Sequence, residues 1–268
     1  MSTPGEPGLE RSCLSLYNYQ MNKRTNSATI SDPYLMTRMS PSLWQRALGV
    51  IVRNWLALRY RVFGRRYGRL VLEEIAGMPL IVLPEVFNPV LLRTGEFMVR
   101  TLETIYIPPQ AKVLDLGAGS GVGSVFTARR GADVTAVDIN PEAVRCARMN
   151  ALLNQLEDNI QVLHGDLFGP LTDQRFDLIL FNPPFHRGRP NDGLDHAWRG
   201  EDVFERFTAE LRDRLNPGGQ ALVVLSSDGD GHELVALLAE QGYAVTIKAE
   251  KNLVNEQLTM YEVRVTRI

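Results

Sequence analysis

From about residue 77 onward the chain alternates short apolar runs with helix-like segments, and this alternation limits the possible folds more than any other feature. Lys112–Leu116, Asp133–Val137, Ile160–Leu163, Phe176–Phe181, Ala221–Leu225, Tyr243–Ile247 and Met260–Val265 read as strands. Val122–Arg130, Pro141–Gln155, Glu201–Leu215 and His232–Gln241 read as helices, the second with its proline near the first turn. Such an order predicts an α/β protein with a Rossmann-like, doubly wound, mostly parallel seven-stranded sheet covered by helices on both faces. Ligands of such sheets bind beyond the carboxyl ends of the strands, so residues at those ends carry the functional argument.

Composition narrows the class. The chain has 268 residues, 44% hydrophobic, with 29 Lys+Arg against 31 Asp+Glu. This suits one catalytic domain of roughly 150–200 residues plus an extension. It excludes a collagenous chain, wholesale disorder and a protein that coats nucleic acid by bulk charge. Two cysteines, Cys13 and Cys146, cannot make a disulfide framework, and no Cys/His cluster suggests a metal, so a reducing, cytoplasmic setting is expected. No apolar run approaches the ~18–20 residues needed for a membrane span, and the N-terminus does not read as an export signal.

Three regions follow. Residues 1–40 are polar and rich in Pro, Ser, Thr and Asn, which predicts a disordered tail. Residues 41–85 read as a basic helical extension: Leu43, Trp44, Ala47, Leu48, Ile51 and Trp55 recur at helical spacing, and no acid lies between Asp32 and Glu73. The arginines at 46, 53, 59, 61, 65, 66 and 69 suit RNA or ribosome docking, an anionic membrane surface, or simply a solvated face of a cap that packs on the catalytic domain. Residues 86–268 form the catalytic domain.

Four motifs fall at successive strand ends. In Val113-Leu-Asp-Leu-Gly-Ala-Gly-Ser-Gly121 a strand runs into a glycine turn (Gly117, Ala118, Gly119, Gly121) that lets a ligand approach the backbone. Asp115, two residues before the first glycine, repels a phosphate and attracts an amino group, which favours the amino-acid end of S-adenosylmethionine over a dinucleotide. Asp138, with Ile139 beside it, ends the next strand, where a carboxylate accepts from ribose hydroxyls or caps the helix at Pro141. Asp166 and Leu167 follow a third strand, where the carboxylate and a neighbouring N–H suit an adenine edge. Phe181-Asn182-Pro183-Pro184-Phe185 follows a fourth. Two prolines remove two N–H donors and stiffen the backbone. The Asn182 side-chain oxygen and the Pro183 carbonyl remain as two acceptors for a planar –NH2 group, and Phe185 offers a flat stacking face.

Together these residues resemble a class I S-adenosylmethionine-dependent methyltransferase, and the Asn-Pro-Pro-aromatic tetrapeptide resembles its amino-methylating HemK/PrmC-like branch, over about residues 86–265. The family usually has tyrosine where Phe185 stands. The resemblance implies that Val86-Phe-Asn-Pro89 with Thr94 and Glu96 contacts the methionine end of the cofactor, and that 196–207 and 255–259 are further family segments. It implies N-methylation of a glutamine side-chain amide of a protein such as a translation release factor. An RNA or DNA exocyclic amine, reached through Arg46–Arg69 and Arg187/Arg189, and a small-molecule amine are the other acceptor classes; a binding module retaining only the nucleoside site is a further reading. The expected catalytic residues are Asn182, Pro183, Pro184 and Phe185, with His186 as an auxiliary. The expected cofactor residues are Thr94, Asp115, Gly117, Ala118, Gly119, Gly121, Asp138, Ile139, Asp166, Leu167 and Asn182, with no metal.

Overall fold

A computed structural model describes residues 69–189, 199–254 and 256–266. The expected tail 1–40 and residues 41–68 of the basic extension lie outside the described residues, as do 190–198 and 255. In chain order the elements are β1 (Val71–Ile75), β2 (Met78–Val82), α1 (Thr94–Leu102), β3 (Lys112–Leu116), α2 (Val122–Ala128), β4 (Asp133–Asp138), α3 (Pro141–Leu153) and β5 (Ile160–His164). Then come β6 (Phe176–Phe181), β7 (His186–Arg187), β8 (Arg199–Gly200), α4 (Val203–Arg214), β9 (Leu215–Ser226), α5 (Gly231–Glu240), β10 (Tyr243–Asn252) and β11 (Gln257–Val265).

The seven-stranded sheet has the order β10-β11-β9-β6-β3-β4-β5. Strands β9, β6, β3, β4 and β5 are parallel, and β11 is antiparallel to both its neighbours. The expected doubly wound sheet is therefore present. Alternation along each strand builds two cores. Val113, Leu178, Leu180, Leu222 and Val224 face α1, α2 and α3. Leu114, Ile179, Phe181, Ala221, Val223 and Leu225 face Phe204, Phe207 and Leu211 of α4 and Leu234 and Leu238 of α5. Strand order reverses at β3, and on such sheets the ligand crevice opens there.

Two expectations need correction. The helix expected at Glu201–Leu215 runs from Val203 to Arg214, and the strand expected at Ala221–Leu225 begins earlier: Leu215 already pairs with Phe176 in β9, and the ladder resumes at Gln220 opposite Leu178, the residues between forming a bulge with Gly218 at φ 84°. The helical extension does not reach residue 85. Residues 71–82 form an antiparallel hairpin, because their burial alternates with period two and Ala76-Gly77 take φ 50° and 70°, the left-handed pair that a two-residue hairpin turn requires. The hairpin docks on α3 through Val82, Leu83 and Val86 against Ala143 and Cys146. Asparagines of α3 and its C-cap complete the contact: the wholly buried Asn150 accepts from Ile81 N–H (2.7 Å) and donates to Ile81 C=O (2.7 Å), while the C-cap Asn154 donates to Pro79 C=O (2.9 Å).

Candidate active site

A cleft of about 270 Å³ opens at the carboxyl ends of β3, β4 and β6. Asp115 shares the sheet face of Val113 and therefore points at α2. Its Oδ2 accepts from the Ser124 N–H (2.8 Å) and hydroxyl (2.6 Å). Burial pushes its carboxyl up to about 6, the two Ser124 bonds oppose that rise, and the Asp138 charge adds to it. A cation entering beside Asp115 would compensate this buried charge.

The glycine turn is held by β4. Gly117 and Ala118 donate to Val137 C=O (2.9 and 3.0 Å), and Gly119 N–H donates to Asp138 Oδ2 (2.7 Å). Gly117 and Gly119 sit at φ 66° and 56°, and a Cβ on either would meet nothing within 4 Å, so the turn presents bare backbone to open space. Gly121 differs. It does not line the cleft; a Cβ there would lie 3.0 Å from Ala147 Cβ, so this glycine lets α2 and α3 approach closely. Asp138 Oδ1 accepts from Asn140 N–H (2.8 Å), and the cap of α3 is Asn140, whose Oδ1 accepts from Glu142 N–H (2.9 Å), rather than Asp138. Ile139 stands exposed at the cleft wall.

Asp166 and Leu167 (φ 46°) line the opposite wall. Asp166 Oδ2 accepts from Arg206 Nη1 of α4 at 2.8 Å, and Arg206 itself lines the cleft. No local sequence signal marks this pair, whose members lie 40 residues apart.

Asn182, Pro183, Pro184 and Phe185 all line the cleft. Asn182 Nδ2 donates to Thr94 Oγ1 (3.3 Å), and Asn182 Oδ1 is buried with no hydrogen-bond partner among the described groups. Thr94 does not line the cleft; it is the first residue of α1 and fixes which way the Asn182 amide faces. The segment before it is folded by the buried Asn88, whose Oδ1 accepts from Val90 and Leu91 N–H (both 2.9 Å), and Glu96 N–H bonds to Pro89 C=O (3.3 Å). His186 is half-buried in β7 and outside the cleft lining. The segment His196–Trp198 and Asn255, singled out in the sequence, lie outside the described residues.

Residues 78–254 match the family described as the Methyltransferase small domain. The chain belongs to that family. The methyltransferase is 33% identical over 194 residues to a protein of Methanocaldococcus jannaschii assigned as a protein N5-glutamine methyltransferase, covering 69% of this chain and 94% of that protein. It is 38% identical over 167 residues to the Ribosomal RNA small subunit methyltransferase C of Haemophilus influenzae, covering 62% of this chain and 46% of that enzyme. Among solved structures, the T. thermophilus 16S rRNA methyltransferase RsmC, in complex with AdoMet and guanosine, superposes with a TM-score of 0.54 at 27% identity, over 73% of this chain and 50% of that one. The chain thus spans about half the length of the ribosomal RNA enzymes it matches.

S-adenosylmethionine fits the cleft on three grounds. Bare glycine backbone faces open space, the buried Asp115 carboxylate has no ion-pair partner among the described residues, and Asp138 and Asp166 stand at or just beyond the ends of β4 and β5. Among the described residues, no group of three His, Cys, Asp or Glu side chains is arranged to hold a metal ion.

Proposed function

We propose that this methyltransferase transfers a methyl group from S-adenosylmethionine to the side-chain amide nitrogen of a glutamine in a protein, such as a translation release factor. The observation that carries this reading is Asn182 Oδ1, a buried acceptor with no donor among the described residues, just past the end of β6. A buried oxygen left without a donor costs about 1–3 kcal/mol, and an incoming –NH2 group removes that cost only when it docks there. The Pro183 carbonyl takes the second proton of the same group. Holding both turns the nitrogen lone pair toward the glycine turn, and Phe185 covers one face of the planar amide.

The cofactor, when bound, supplies an electrophilic methyl group on a sulfonium. Asp115 meets the ammonium of its amino-acid end, and Gly117, Ala118 and Gly119 admit that end to the backbone. Asp138, in the cleft lining at the end of β4, meets the ribose hydroxyls while holding the turn. Asp166 and the Leu167 N–H meet the adenine edge, and Ile139 packs on the base. Holding nitrogen, methyl and sulfur in line is a proximity effect worth up to about 7–11 kcal/mol. No strong base is needed, since an alkylated nitrogen loses its proton to water.

The M. jannaschii relative, matched over 94% of its length, supports the protein-glutamine reading. The ribosomal RNA relatives support a second one, an exocyclic base amine held by the same two acceptors. Against it, the Arg187 guanidinium is paired with both Glu205 and Glu233, so this expected member of a positive surface is neutralised. The direct test is Asn182→Ala: adenosylhomocysteine binding, measured calorimetrically, should stay near the wild-type value, while transfer of labelled methyl to a cell extract should fall by about two orders of magnitude or more. Turnover close to wild type would remove the proposed role.

A further inference from the structure

The Asn-Pro-Pro-Phe loop has a problem of its own chemistry. Its prolines remove the N–H groups that would tie it to a neighbour, yet its two acceptors must stay fixed. One end is fixed by β6. The other end meets the turn between β9 and α5.

Phe185 C=O accepts from Asp230 N–H at 2.7 Å, and Asp230 Oδ2 accepts from Arg187 N–H at 2.9 Å. The two bonds bracket His186 and pin the backbone on both sides of it. Asp230 is the N-cap residue of α5, a place where an aspartate usually accepts from its own helix. Here its side chain makes no capping bond and is given to Arg187 instead. Gly229 makes the fit tighter still. A Cβ on Gly229 would lie 2.3 Å from Phe185 C=O oxygen and 2.8 Å from Phe185 Cβ, although the Gly229 backbone is not in the left-handed region. Glycine is therefore required by the approach of the Phe185 backbone and not by its own conformation. The turn is braced from behind: Ser226 Oγ donates to Glu256 Oε2 (2.8 Å) and accepts from Asp228 N–H (3.1 Å), and Ser227 N–H bonds to Gln257 C=O (2.9 Å).

We infer that Gly229 and Asp230 are positioning residues for methyl transfer, a clamp that holds the far end of the Asn182–Phe185 loop against β9 and α5. This rests on the reading of Asn182 above. The clamp touches neither the glycine turn nor Asp115, so it acts on the methyl-accepting side alone.

The test compares Gly229→Ala, Asp230→Ala, Asp230→Asn and Asn182→Ala in the full chain. Three quantities are read: labelled methyl transfer to a cell extract, the Kd for adenosylhomocysteine, and the melting temperature. Gly229→Ala and Asp230→Ala should lower transfer by about 10- to 100-fold, the scale of a misplaced reacting group, with Kd unchanged within about twofold. Asp230→Asn keeps an oxygen acceptor for the Arg187 N–H and should restore most of the rate. Wild-type transfer in Asp230→Ala and Gly229→Ala, with transfer abolished in Asn182→Ala, overturns the clamp and leaves the Asn182 reading standing. Wild-type transfer in Asn182→Ala overturns both. Should Gly229→Ala not fold, the Asp230 pair decides: loss in both Asp230 variants, or a loss matched by weaker adenosylhomocysteine binding, shows a merely structural contact and overturns the proposal.

Discussion

Asp115 shows how one side chain serves two states of the protein. Its raised carboxyl value means that the folded chain binds a proton more tightly than the unfolded chain between the ordinary carboxylate value and about 6. Without cofactor, this group therefore makes the fold less stable as pH rises through that window and leaves it so at neutral pH, an effect on the order of 3 kcal/mol. A bound ammonium reverses the balance by favouring the ionised form. Cofactor affinity should accordingly weaken as pH falls below about 6, approaching tenfold per unit, which calorimetric titration across pH 5–7 would reveal. Asp115→Asn should raise the melting temperature of the cofactor-free protein at neutral pH and weaken cofactor binding; a lower melting temperature with unchanged affinity would contradict this role. The position of Asp115 was legible beforehand, since a strand before a glycine turn fixes which way each side chain points. Its partner Ser124 and the Arg206–Asp166 pair were not, because such pairings depend on how helices dock and not on spacing along the chain.

At the scale of elements, α3 joins the hairpin to the glycine turn. Asn150 bonds both backbone groups of Ile81 and also donates to Ser120 C=O (2.8 Å), so one buried amide ties β2, α3 and the glycine turn together. Asn150→Leu fills the space but leaves Ile81 N–H and Ser120 C=O without the amide and Ile81 C=O with only the weak Cys146 thiol donor. It should cost about 3 kcal/mol in a denaturant titration and weaken cofactor binding through the displaced turn. A loss below 1 kcal/mol would show that water replaces the amide. The central strands and four of the helices were readable, because strand and helix periods are local properties. The hairpin is not legible in the sequence because Val71-Leu-Glu-Glu-Ile75 carries no clean apolar alternation, and its turn is a modest Ala-Gly pair. Three glycines at even spacing look alike in the sequence, so Gly121 reads as a ligand residue there; only packing of α2 on α3 separates it from Gly117 and Gly119.

For the whole molecule, the sheet order places four strand-end motifs around one crevice, which makes the methyltransferase family legible in the sequence. The acceptor class did not emerge in the same way, because one acceptor pair serves an amide and a base amine alike. Salt separates the two. A protein acceptor predicts methyl transfer that changes little between 50 and 200 mM salt, whereas an RNA acceptor held by several phosphate contacts would lose about three or more orders of magnitude in affinity over that range. Among the described residues no helix is long and apolar enough to cross a membrane.

The most direct measurement is a crystal structure of the protein with adenosylhomocysteine. The account predicts that the amino-acid end lies over Gly117 and Gly119 beside Asp115, with the sulfur turned toward Asn182 Oδ1. A ligand seated away from the glycine turn, or a sulfur facing away from Asn182, would contradict it.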